Sequence, residues 1–169
     1  ITNHEKKSGK DHIEIVKYLI EQCHANVEAK DKNGSTSLHY ASYSGAIEVV
    51  SCIFKQYHAN VETKEDKGKT LLHNALERGK IEVVKYLVKE CHANVNDKSK
   101  YGSFTPLHYA IYQGHVEIVK YLIEQGNANI EEKTNNGWTA LHVATKSDTS
   151  SIYMYDLASC IDFVVMRTA

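Results

Sequence analysis

Four histidines, His39, His73, His108 and His142, recur at intervals of 34, 35 and 34 residues. With Cys23, Cys52, Cys91 and Cys160 they are the side chains from which a metal centre would be built, because neutral imidazole and thiolate are the usual zinc ligands. Zinc needs all its ligands at about 2.0–2.3 Å. Residues holding the same place in successive repeating units stand about 10 Å apart, one helix-packing distance, so this spacing makes a ladder of histidines and not a cage. Cys23 and Cys91 are two units apart, beyond the roughly 7 Å between Cα atoms that a disulfide tolerates, and Cys52 falls in an apolar stripe as a small core residue. None of the cysteines has the close, paired spacing of a zinc ribbon or a stapled secreted domain, and a reducing, cytoplasmic location is expected. No nucleophile stands beside a base. The glycines at 34, 68, 102 and 137 come once per unit as Asn33-Gly, Lys67-Gly, Tyr101-Gly and Asn136-Gly, which are turn dipeptides and not a phosphate-cradling loop. The expectation is of no catalytic residue, no metal and no cofactor.

The elements that carry these residues follow from three motifs running in one phase. The first is Thr36-Ser-Leu-His39-Tyr-Ala41, repeated from Thr70, Thr105 and Thr139. The second is Ile13-Glu-Ile-Val-Lys-Tyr-Leu-Ile20, repeated from Ile47, Ile81 and Val116, and the third is Ala-Asn at 25–26, 59–60, 93–94 and 128–129. In the second motif Ile15, Val16, Leu19 and Ile20 share one stripe of a helix, which must be buried. Glu14 and Lys17, Glu82 and Lys85, and Glu117 and Lys120 lie on the other side as a solvated face. Each threonine precedes an apolar-periodic stretch, where its hydroxyl can satisfy a free backbone N–H, and Pro106 suits a first helical position. Gly45, Gly79 and Gly114 then stand between the two helices of each unit. The result is helix, turn, helix, then a polar loop.

These motifs resemble the ankyrin-repeat family, whose signature Thr-Pro-Leu-His-x-Ala stands complete at residues 105–110 and nearly complete three more times. The resemblance covers roughly residues 10–147 and implies an all-α solenoid of stacked helix-turn-helix units joined by β-turn loops. It also implies a structural role for the four histidines, bonded to the signature threonines. The expected units are a partial first repeat (1–30), complete repeats at 31–64, 65–98 and 99–133, and an irregular last one (134–169). The usual unit is 33 residues; the extra one here falls where the second helix ends, at Cys23-His24, Tyr57-His58, Cys91-His92 and Gly126-Asn127. His and Asn accept positive φ better than most residues, which suits such a place. A further residue enters the loop between Asp97 and Phe104.

In the first unit the opening helix maps to His4–Gly9, polar enough to serve as a cap. At the other end one helix is expected within Ile152–Met166, packed on the fourth signature. The chain starts at Ile1 without a methionine, which suggests that it was cut from something longer.

The resemblance implies a partner surface on the concave side of the stack. Carried over position by position, it selects Lys32, Asn33, Ser35, Tyr43 and Ser44; Asp66, Lys67, Lys69, Glu77 and Arg78; Tyr101, Phe104, Tyr112 and Gln113; and Asn135, Asn136, Trp138 and Lys146. Large aromatics anchor interfaces, so Phe104, Tyr112 and Trp138 form a candidate hot spot beside a charged patch at Lys67, Lys69, Glu77 and Arg78. The competing reading makes these aromatics spacers between neighbouring loops. With 20 Lys plus Arg against 21 Asp plus Glu, the chain has no global field to attract nucleic acid. The loop lysines are interleaved with Asp31, Glu65, Asp66, Asp97, Glu131 and Glu132. No apolar run approaches the roughly 18–20 residues needed to cross a bilayer. The expectation is a monomeric, non-catalytic module that binds another protein or peptide, with no nucleic acid and no membrane. The alternative is a regulatory or targeting arm of a larger enzyme or membrane protein.

Overall fold

The computed structural model of the chain describes residues 3–147, with side chains from Asp11 to Lys146. Eight helices follow one another among these residues: α1 (Asn3–Glu21), α2 (Ser37–Ser44), α3 (Ile47–Tyr57), α4 (Leu71–Glu77), α5 (Ile81–Lys89), α6 (Pro106–Tyr112), α7 (Val116–Glu124) and α8 (Ala140–Ser147). The short helices α2, α4, α6 and α8 pack on one another as an inner row, and α1, α3, α5 and α7 form an outer row. Inner-row Leu38, Leu72 and Leu107 and outer-row Ile53, Leu87 and Leu122 are fully buried between the rows. No hairpin could bury its stripe alone, so the units are stable only as a stack.

The first unit departs from expectation. The opening helix does not stop at Gly9; α1 runs unbroken for 19 residues. The left-handed glycine that ends an inner helix in later units maps onto Asp11, so no turn interrupts the helix. The stripe expected to be buried is therefore only half covered: Ile15 and Leu19 are 56% and 45% exposed, where their equivalents Val83 and Leu87 are buried beneath an inner helix. The helix expected within Ile152–Met166 lies outside the described residues.

The ends of the outer helices bear out the 34-residue reading. His24, His58, His92 and Asn127 hold φ of 55°, 52°, 53° and 54°, each placing a non-glycine residue in the left-handed region where the helix turns into its loop. The loop insertion is equally local: Ser103 takes φ 53°, and the Ser99 N–H reaches the Phe104 carbonyl at 3.0 Å where Glu65 reaches Lys69.

Turn tips are tied from unit to unit through backbone bonds. Asp66 N–H donates to the Asn33 carbonyl, Lys100 N–H to Lys67 and Asn135 N–H to Gly102, at 3.0, 2.9 and 2.9 Å. The Ala-Asn motif builds a second ladder. The Asn60 and Asn94 side chains each close a local turn by accepting the N–H two residues on, while their own N–H groups donate to Glu28 and Glu62 of the preceding unit. Each such bond contributes about 1 kcal/mol net.

Two glycines separate backbone strain from crowding. Both Gly68 and Gly114 have φ near +74°, but a Cβ on Gly68 would stand 2.5 Å from the Lys100 backbone nitrogen, whereas one on Gly114 meets nothing within 4 Å. Gly114→Ala should cost the left-handed penalty of about 1–2 kcal/mol, lowering the melting temperature by roughly 2–8 °C. Gly68→Ala should cost distinctly more, because the turn ladder must shift. Equal losses in thermal melts would show that crowding at the turn tip does not matter.

Candidate protein-binding face

The buried histidines come first, because they decide what is left over for function. His39, His73 and His108 are at most 1% exposed. In each, Nδ1 accepts the backbone N–H of the threonine three residues earlier, at 3.0, 3.2 and 3.2 Å, with the threonine hydroxyl 2.8–3.0 Å from the same nitrogen. This is a capping arrangement in which the ring takes the part usually played by a glutamate. The expected threonine cap is present as a capping box at Thr36, Thr70 and Thr105, with the Thr105 hydroxyl accepting from His108 N–H at 3.4 Å. All three hydroxyls also lie against the imidazole of the same cap.

An Nδ1 that accepts leaves the proton on Nε2, and in His73 that nitrogen donates to the Phe104 carbonyl of the next unit at 3.2 Å. In His39 and His108 the same nitrogen lacks strict bonding geometry, although it approaches the backbone of Lys69 and Trp138, the matching positions one unit on. Burial holds all three rings below the usual histidine pKa, His73 to about 4. The thiols are similarly quiet: Cys52 and Cys91 are buried and free, and burial pushes Cys91 up to about 12. Among the described residues, no three His, Cys, Asp or Glu side chains lie close enough to hold a metal ion.

The expected partner positions separate into two groups. Ser35 is buried at 8%, with its N–H on Asp31 Oδ1 at 2.8 Å. Phe104 is partly buried and sets its ring edge-on to His108 and Tyr109, with centroids 5.8 and 5.9 Å away. Ser35 is thus withdrawn from the surface, and the Phe104 ring packs within the stack. Lys32, Asn33, Ser44, Asp66, Lys67, Arg78, Tyr101, Gln113, Asn135, Asn136 and Lys146 are exposed, while Tyr43, Lys69, Glu77, Tyr112 and Trp138 are half-buried.

The fold joins several of these across unit boundaries. The Arg78 guanidinium lies 4.6 Å from the centroid of the Tyr43 ring, one unit back. Lys69 Nζ is 2.7 Å from Glu77 Oε2 and 5.7 Å from the centre of the Tyr109 ring. Tyr109 also meets the His73 ring edge-to-face at 4.9 Å. Sequence reasoning passed over Tyr109, Tyr40 and Asn74. All three follow a signature histidine, and two point at their own loop: the Tyr40 hydroxyl donates to Asp31 at 2.7 Å and Asn74 Nδ2 to Glu65 at 2.6 Å. Their shared offset from the histidine was the available signal.

The opposite side offers less. An open groove of about 460 Å³ between α1, α3 and α5 is lined by Ile13, Lys17, Ile47, Cys52, Lys55 and Tyr86 among others. The Lys55 ammonium lies 5.8 Å from the Tyr86 ring centre, and the Tyr57 hydroxyl bonds Glu21. No described helix is long and apolar enough to cross a membrane.

A row of short inner helices with turn tips tied from unit to unit, backed by a row of longer outer helices, defines a helical-repeat solenoid. The family model described as "Ankyrin repeats (3 copies)" matches residues 7–99, 49–134 and 93–158. The chain belongs to the ankyrin-repeat family. No curated protein matches it.

The buried rings set an acid limit. A histidine whose folded pKa lies below its unfolded value binds fewer protons when folded, so its contribution is fully present above about pH 6.5 and falls as pH drops toward the folded value. For His73, about 4 when folded, the loss should reach about 3 kcal/mol at the low end of that window. Urea unfolding from pH 7.5 to 4.5 should show this decline. His73→Gln should be less stable at pH 7.5 yet flatter across the window. An unchanged slope would mean that the ring does not couple folding to pH.

Proposed function

We propose that this array is a non-catalytic interaction module that holds a partner protein or peptide against its concave face. Ankyrin repeats are generally protein-interaction modules, and proteins built from them are typically non-catalytic. The observation that carries the reading is the division of labour above. The titratable groups most strongly shifted by burial are committed to helix caps and core, whereas the turn tips and inner-helix ends leave Tyr43, Arg78, Tyr101, Tyr112 and Trp138 exposed or half-buried. Tyr112 and Trp138 are the anchors, half-buried on adjacent units and so held at little further cost in side-chain entropy.

The free thiols at Cys23, Cys52 and Cys91 favour a reducing, cytoplasmic setting, and the module acts as a monomer without nucleic acid. A second reading has one observation behind it. Ile15, Tyr18 and Leu19 of α1 are 56%, 62% and 45% exposed, where the outer face of a terminal unit should be polar. That favours an array serving as the arm of a larger protein, with another element laid on α1.

The hot spot is tested with Tyr112→Ala/Trp138→Ala, by affinity capture from native cell extract and thermal melting. Retention of captured partners should fall at least tenfold, with the melting temperature moving by less than about 4 °C. A lowered melting temperature with capture intact would make both residues spacers and defeat the hot spot.

A further inference from the structure

The two ends of the array carry complementary halves of one unit. At one end α1 is an outer helix without an inner helix of its own, which leaves Ile15, Tyr18 and Leu19 exposed. At the other, α8 is an inner helix with no outer helix beneath it among the described residues. Its Leu141 is 72% exposed, whereas Leu38, Leu72 and Leu107, which hold the same position in earlier units, are each 1% exposed. A stack ends stably on polar faces, and this one presents apolar side chains at both ends.

Repeat register defines what each end is shaped to meet. Within the array Tyr86 sets its ring edge-on to Phe54 of the preceding unit, with 6.5 Å between centroids, and Lys85 reaches Glu117 of the following unit at 3.8 Å. The Asn60 and Asn94 N–H groups donate to Glu28 and Glu62 at 2.7 and 3.2 Å. At the positions of Tyr86, Glu117 and Asn60 the first unit carries Tyr18, Glu14 and Asn26, all exposed. At those of Phe54, Lys85 and Glu28 the helix α7 and its loop carry Ile123, Lys120 and Glu131, exposed as well. One half of each contact therefore stands at each end of the chain. One contact is not repeated: Glu124 holds the place from which Lys55 and Lys89 approach a tyrosine ring.

We propose that copies of this chain stack head to tail, with α1 of one copy seated beneath α8 and beside α7 of another to complete a unit. Ile15 and Leu19 then cover Leu141, Tyr18 packs on Ile123, Lys120 pairs with Glu14, and the Asn26 N–H donates to Glu131. The joint continues the interface between units in its own register. The remaining residues of the same chain suit that place less well. At the 34-residue spacing Asp156 falls on the buried position of Leu122, and Phe163 on that of Asn129; burying a carboxylate without a partner is costly. Because the two joined surfaces differ, a pair keeps one free end of each kind and further copies add to it. The joint involves only the ends, so each copy still acts singly toward a partner on its concave face.

The test is sedimentation velocity of the full chain over about a thousandfold range of concentration. Mass should rise with concentration and pass beyond the dimer. Leu19→Lys and Leu141→Lys, both at exposed positions, should each hold the chain as a monomer while the melting temperature is kept. Mixed together, the two variants have one sound end apiece, so they should form one-to-one pairs and stop there. Should either leucine variant misfold, the surface change Glu14→Lys should weaken association several-fold, and mixing it with Lys120→Glu should restore the joint. A chain that stays monomeric at every concentration would overturn the proposal. Association that survives Leu141→Lys would do the same, since it would mean that α1 pairs with α1, and so would well-folded variants that fail to pair on mixing.

Discussion

The stack depends on a neutral imidazole held inside it. Each inner helix begins with a threonine whose N–H must find a partner in a dry environment, and the histidine three residues on supplies one through Nδ1. The proton thereby confined to Nε2 makes the same ring a donor toward the following unit, as His73 is to Phe104. At His73 one side chain thus caps the start of a helix and joins two units. Because a buried, unpaired donor costs about 1–3 kcal/mol, the ring constrains both neighbours at once, and it can do so only while uncharged.

With inner helices tied in this way, the rest of the unit is free to vary. Outer helices need only an apolar stripe, and the turn tips need only a left-handed glycine and the backbone ladder from Asn33 to Asp66, Lys67 to Lys100 and Gly102 to Asn135. The extra residue Ser103 is absorbed within its own loop and moves the ladder's acceptor by one position, from the tip residue to its glycine. At the tips and at the inner-helix ends the residue types change from unit to unit. Arg78 lies on the Tyr43 ring in one place, while half-buried Tyr112 and Trp138 occupy the next units.

Much of this was legible in the residues. A 34-residue period with three motifs in phase specifies two helices per unit, their order, and the left-handed histidines at 24, 58 and 92, because these are local consequences of apolar spacing and of backbone preference. The candidate face was legible as a set of positions, since register in a repeat carries each one to its neighbour. Burial was less legible: Ser35 is buried and Phe104 partly so, because a register position is covered according to what the next unit sets against it.

The sequence by itself determined the fold, the phase of the repeat and the identity of the cap residues, all of which rest on interactions within a few residues along the chain. Tertiary structure alone decided the matters that depend on distant neighbours. It left Ile15 and Leu19 of α1 uncovered, laid Arg78 on Tyr43, and paired Lys64 with Asp97 and Lys98 with Glu132 across units. Contacts between residues about 34 apart arise only when units stack.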